Sequence, residues 1–150
     1  MSQAVRTKET ATLLQAIYKN VKMASDSILN LMPKVKDPKL KNDLTVQLSV
    51  YEAYSSRAAK LLADEGVKPE DESTVTKLAS KWGTMMNTMM DSTDSHIAQL
   101  IAEGSTMGIT DGIKLLRDYE NTGVSEGALK LVREVIEFEE NNLERAKKYI

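Results

Sequence analysis

The chain contains no cysteine, and among its 150 residues there are only one His, one Trp, one Phe and three Pro. Without thiols there is no disulfide framework, thiolate zinc site, iron–sulfur cluster or cysteine nucleophile. With a single imidazole, His96, no Ser, His and Asp arrangement is credible. No run approaches the ~20 apolar residues that cross a bilayer, and the opening Met1 to Glu9 lacks the apolar stretch of a signal peptide. A soluble, cytoplasmic protein without a membrane partner is therefore expected. One charge sign does not dominate: 20 basic and 22 acidic residues leave a net charge of −2, and the two signs are interspersed. A dedicated nucleic-acid face, which needs clustered Lys and Arg, is not expected. Few aromatics and few β-branched runs disfavour sheet.

What is present is helical periodicity. Leu14, Ile17, Val21, Ala24, Ile28 and Leu31 recur at spacings of three and four, predicting a first helix over about 7–31 that Pro33 ends. Asp37 followed by Pro38 reads as an N-cap and a first-turn proline. They open a second helix over 38–65 with Leu44, Leu48, Tyr51, Ser55, Ala58 and Leu62 on one face. Gly66 to Ser73 is the clearest loop. Ser73 can cap a third helix, 74–103, and glycines at Gly104, Gly108 and Gly112 predict a kink or break before a segment over 105–121. Asn121, Thr122 and Gly123 signal a helix end, and Ser125 can cap a last helix over 125–149. Its stripe is Leu129, Val132, Ile136, Glu139, Leu143, Ala146 and Ile150. The expected architecture is all-α: one bundle domain of 150 residues, built from two antiparallel hairpins.

Trp82, Met85, Met86, Met89, Met90 and His96 crowd into a short stretch. At helical spacing Met85, Met89 and His96 share a face, and thioethers with imidazole suit a soft ion such as Cu(I). Methionine is also a flexible core filler, and packing is the preferred reading of this face. The glycine ladder is read as a close helix–helix contact, because small residues every fourth position let backbones approach. It is not a phosphate loop, since no strand precedes it and no Lys follows.

Polar residues interrupt the apolar stripes at Ser55, His96 and Glu139, and each such interruption costs about 1–3 kcal/mol unless it finds a partner. Glu139 is the most informative, because a carboxylate within an apolar stripe must pair, stay protonated, bind an ion or tilt to the bundle edge. Glu52 and Asn142 lie beside the same faces, three residues from Ser55 and Glu139.

Over nearly its whole length the chain resembles the ferritin-like superfamily, in particular its small bacterial four-helix proteins. The resemblance rests on the hairpin, the crossover with Gly66-Val67-Lys68-Pro69, the second hairpin, and the ending Glu139-Glu140-Asn141-Asn142-Leu143. It implies a bundle whose di-iron members place a Glu on each of two helices and Glu-x-x-His on the other two, all inward. On the first helix that pattern falls on Val21, Ala24 and Ile28, and the carboxylate is missing. On the second it falls on Glu52 and Ser55, keeping the acid and losing the imidazole. After the crossover it falls near Ser105, with Gly108 following, and on the last helix it falls on Glu139 and Asn142. Only Glu52 and Glu139 retain carboxylates, which argues against the ferroxidase or oxygenase chemistry of the superfamily.

Three readings follow. The first is a non-catalytic bundle acting in interaction or assembly as a homodimer, with no cofactor. The second is a protein that holds iron or manganese at Glu52 and Glu139, or copper along Met85, Met89 and His96. The third is a small-ligand cavity at the bundle centre, where Val21, Ser55 and Ser105 replace larger ligands.

Overall fold

The computed structural model describes residues 2–70 and 90–150. Four helices account for nearly all of them: α1 (Gln3–Leu31), α2 (Pro38–Asp64), α3 (Asp94–Tyr119) and α4 (Glu126–Lys147), with one 3-10 turn, Met32–Lys34, after α1. No strand occurs among the described residues.

Each helix begins where a side-chain oxygen can take an otherwise orphaned backbone N–H. The Ser2 hydroxyl accepts from Val5 N at 3.2 Å and the Asp37 carboxylate accepts from Lys39 N at 2.8 Å, with Pro38 at the first turn. Thr93 accepts from His96 N at 3.2 Å and Ser125 accepts from Ala128 N at 3.3 Å. After α2 the chain turns through Gly66 at φ +74°, while Val67 N donates back to Leu62 O at 2.9 Å. That left-handed turn lets the last carbonyls of α2 find donors, and glycine adopts it without a Cβ penalty.

The apolar stripes meet in one core. Leu13, Leu14 and Ile17 of α1, Leu44 and Leu62 of α2, Ile97 of α3, and Leu129, Leu131 and Val132 of α4 are almost completely buried. Packing is most extensive within the α1–α2 and α3–α4 hairpins, and sparser between α1 and α3 and between α2 and α4. Polar ties join the hairpins at their ends. Both carboxylate oxygens of Asp94 accept backbone N–H groups from the turn between α1 and α2: Lys36 N at 2.8 Å and Asp37 N at 2.9 Å. At the other end Ser125 N donates to the buried Thr10 hydroxyl at 3.2 Å. Gln15 holds the start of the crossover, donating to Lys68 O and accepting from Glu70 N, each at 2.8 Å.

Two expectations change. The glycines do not break the third helix, because α3 runs unbroken from Asp94 to Tyr119 through Gly104, Gly108 and Gly112. The predicted helix over 74–103 also fails to extend through its own middle: residues 91–93 are non-helical and Thr93 caps a new start. Ser73, the proposed cap, lies outside the described residues. The physical reason for the continuity is that the missing side chains of the ladder are used by α4. A Cβ on Gly112 would stand 2.5 Å from Ile136 Cγ1 and 3.0 Å from its Cδ1. The helix is held by the fit of α4 against its bare face, which outweighs the ~1 kcal/mol propensity cost of a mid-helix glycine.

Gly112→Ala should therefore destabilise the fold by roughly 1–2 kcal/mol, overpacking exceeding the gain in helix propensity. Chemical denaturation measures this, and a stabilised variant would show that α3 and α4 are not in close contact at Ile136. Asp94→Ala should lose about 1–3 kcal/mol by leaving two backbone N–H groups of the α1–α2 turn without their acceptor.

Candidate functional site

Glu139 sits in the middle of α4 and is 3% exposed. Its neighbours explain how a carboxyl group is tolerated there. Tyr51 of α2 donates its O–H to Glu139 Oε1 at 2.6 Å, and Asn142, one turn further along α4, donates through Nδ2 to the same Tyr51 oxygen at 3.2 Å. The result is a directed chain from Asn142 through Tyr51 to Glu139. Ser105 of α3 is buried beside them. Phe138 fixes the Tyr51 ring edge-on, with centroids 5.0 Å apart, and packs likewise on Tyr54 at 5.7 Å.

The bare backbone of α3 makes room for this group. A Cβ on Gly108 would lie 3.0 Å from Glu139 Cδ and 3.2 Å from both Cγ and Oε1. A side chain at Gly108 would have to displace Glu139 by a few tenths of an ångström.

Burial raises the Glu139 carboxyl from its ordinary 4.5 to about 7, although the hydroxyls of Tyr51 and Ser105 pull it back down. Burial, and then the neighbouring Glu139, push the Tyr51 phenol well above its usual range, so it stays a donor. Glu139 Oε2 has no hydrogen-bond partner, and neither do Gln47 Oε1 nor Asn142 Oδ1.

Glu139 and Gln47 line a cavity of about 60 Å³ that runs between α1 and α3. Val21 and Ala24 of α1 and Gly104, Ser105 and Gly108 of α3 form its middle, with Tyr51 behind them. The small residues of α3 face the slot and leave it open, consistent with the sparse α1–α3 packing.

The sequence-derived candidates distribute unevenly over this site. Glu139, Val21 and Ser105 line it, as the resemblance placed them. Glu52 does not join Glu139: it is exposed on α2, while its neighbour Tyr51 is buried. Consecutive helix positions point about 100° apart, so Tyr51 and Glu52 cannot both face the centre. Ser55 is half-buried and donates to Tyr51 O of its own helix at 3.1 Å, and it does not line the cavity. His96 is half-buried in the first turn of α3, far along the helix from Ser105. Trp82, Met85 and Met89 lie outside the described residues. Gln47 is absent from the sequence-derived stripe, and Tyr51 is in that stripe but not among the site candidates. Their signal was present in the register Leu40, Leu44, Gln47, Tyr51, a buried stripe with a polar member.

Two hairpins closed on one core, with a polar centre contributed by the helix middles, define a ferritin-like four-helix bundle. Among solved structures the fold is similar to a dodecameric thioferritin, the bacterioferritin-related protein from Bacteroides fragilis. The TM-score is 0.74, over 95% of this chain and 84% of that one. Sequence identity is 9%, so the likeness is one of fold. No family model and no curated protein matches the sequence.

The donors at the centre do not fit the dinuclear metal site that this fold can carry. Among the described residues Glu139 meets a phenol, a serine hydroxyl and an amide, no imidazole lines the slot, and the other acid there is the half-buried Asp111 of α3. Nor do the described residues hold any group of three or more His, Asp or Glu able to share a metal ion.

The raised carboxyl has a consequence for stability. Between about pH 4.5 and about 7 the folded chain keeps a proton that the unfolded chain releases, so this contribution to stability falls as pH rises through that window. The fall should be on the order of 3 kcal/mol. Denaturant unfolding of Glu139→Gln, which has no proton to lose, should be flatter across that window than the parent; identical profiles would place the titration elsewhere.

Proposed function

We propose that this chain is a ferritin-like bundle that binds a small organic ligand in the slot between α1 and α3, without di-metal redox chemistry. The observation that supports this most is the cavity itself: mainly apolar walls, with few polar groups converging on one buried carboxyl at the bundle centre. In this reading the positions that carry metal ligands in other ferritin-like proteins have been traded for Val21 and Ser105, and the vacated volume has become a pocket. Function in this fold resides in the site, not in the architecture.

A ligand-detected NMR screen of small organic molecules against the full chain should find binders that Ala24→Phe, which fills the slot, no longer retains. Exposure of the dialysed protein to Fe(II) or Mn(II) should leave less than about a tenth of an equivalent bound. Near-stoichiometric metal, lost in Glu139→Ala, would overturn the reading in favour of a metal protein.

Self-association is a second reading, favoured by exposed Leu29, Val46 and Ile113 on the helix surfaces and by the dodecameric state of the structural neighbour. It is compatible with the first and places the chain in a homodimer or larger assembly, in keeping with a cytoplasmic protein. No helix among the described residues is long and apolar enough to cross a membrane. Sedimentation velocity at micromolar concentration should give a species larger than the 16.7 kDa chain, and a monomer would remove this reading.

A further inference from the structure

The polar groups of the slot have a common chemical demand. Two acids, Glu139 and Asp111, line it, and among the described residues no Lys, Arg or His does. The unpartnered buried atoms of its lining are Gln47 Oε1, an acceptor, and Glu139 Oε2, an acceptor once the carboxyl is ionised, and Asn142 Oδ1 behind them is a further acceptor. Two donors of the cluster are engaged within it: Tyr51 gives its proton to Glu139 Oε1, and the Asn142 amide gives one to Tyr51. A dry acceptor costs about 1–3 kcal/mol, which a ligand bringing N–H groups recovers.

We propose that the slot selects a small organic ammonium ion, an alkylamine whose head is held by Glu139 and Gln47, an assignment that rests on the slot being a ligand site. An ammonium group supplies three donors and the positive charge that a two-acid lining lacks. The apolar walls, with Ile17, Ile28, Leu100 and Ile101, take the alkyl part. Alternatives fit less well. A carboxylate ligand meets two acids, an alcohol brings one donor and no charge, and a hydrated metal ion must shed water against hydrocarbon. The cavity, of about 60 Å³, is small. That suits the ammonium head with its first methylenes, while the rest of a short chain follows the slot.

The position of the Glu139 titration adds a signature. The carboxyl is held up to about 7 by burial, and an adjacent ammonium favours its ionised form, so binding near neutral pH expels a proton. The titratable groups that share the site with it are Tyr51 from α2, held as a neutral donor, and half-buried Asp111 from α3. From α1 the lining has no titratable side chain.

The test is isothermal titration of the full chain near pH 7 with butylammonium, 1-butanol and butyrate, in two buffers of different ionisation heat. Butylammonium should bind at least ~tenfold more tightly than 1-butanol, butyrate should not bind, and the heat should depend on the buffer in the sense of proton release. Glu139→Gln should lose about tenfold or more in amine affinity and the buffer dependence with it, whereas Asp111→Asn should weaken the amine less. Equal affinity for amine and alcohol, unchanged in Glu139→Gln, would overturn the ammonium assignment and leave a neutral-ligand slot standing. Binding of none of the three probes, together with a negative small-molecule screen, would overturn the ligand site itself.

Discussion

A carboxyl group closed among four helices governs the centre of this molecule. Desolvating an ionised Glu is so unfavourable that the surroundings must either supply strong hydrogen bonds or let the group hold its proton. Here both happen in part. Tyr51 donates to one oxygen, Asn142 orients Tyr51, and burial lifts the titration to about 7, which leaves the group poised between its two forms near neutrality. Tyr51 comes from α2 and Glu139 and Asn142 from α4, so one hydrogen-bond chain also fixes the rotation of two helices that otherwise pack sparsely against each other.

The glycines of α3 are the structural counterpart of that carboxyl. Gly108 leaves the volume that Glu139 fills, and Gly112 leaves the volume that Ile136 fills, so α4 lies close against the bare backbone of α3. The same stretch, with Gly104 and Ser105, faces α1 across a gap that no side chain of the described residues closes. A strip of small residues thus tightens one helix pair and opens another. In a ferritin-like bundle the space between these helices can hold metal and its ligands; in this chain it is walled by hydrocarbon, with acceptors at its floor.

Much of the fold was legible in the sequence. The periods of three and four, the caps at Asp37 and Ser125 and the turn at Gly123 all depend on local chemistry, and each appears where the residues called for it. The site was legible only in part. Val21, Ser105 and Glu139 fell in place, but Glu52 was chosen over Tyr51 because a short motif was matched by residue type and not by helix face. One residue of register moves a side chain by about 100°, enough to turn an inward ligand into a surface charge. The continuous run of α3 was hidden for a related reason: glycine spacing reads the same whether a helix breaks or a neighbour presses against it.

By itself, then, the sequence determined which segments are helical, where most of them stop, and that a carboxylate interrupts the apolar stripe of the last helix, since capping, propensity and amphipathic period are properties of neighbouring residues. Only the tertiary structure decided which partners that carboxylate meets, that α3 survives its glycines, and that α1 and α3 stand apart around a slot. Those outcomes depend on how side chains from residues tens of positions apart share volume, and close packing is a property of the assembled helices, not of any one of them.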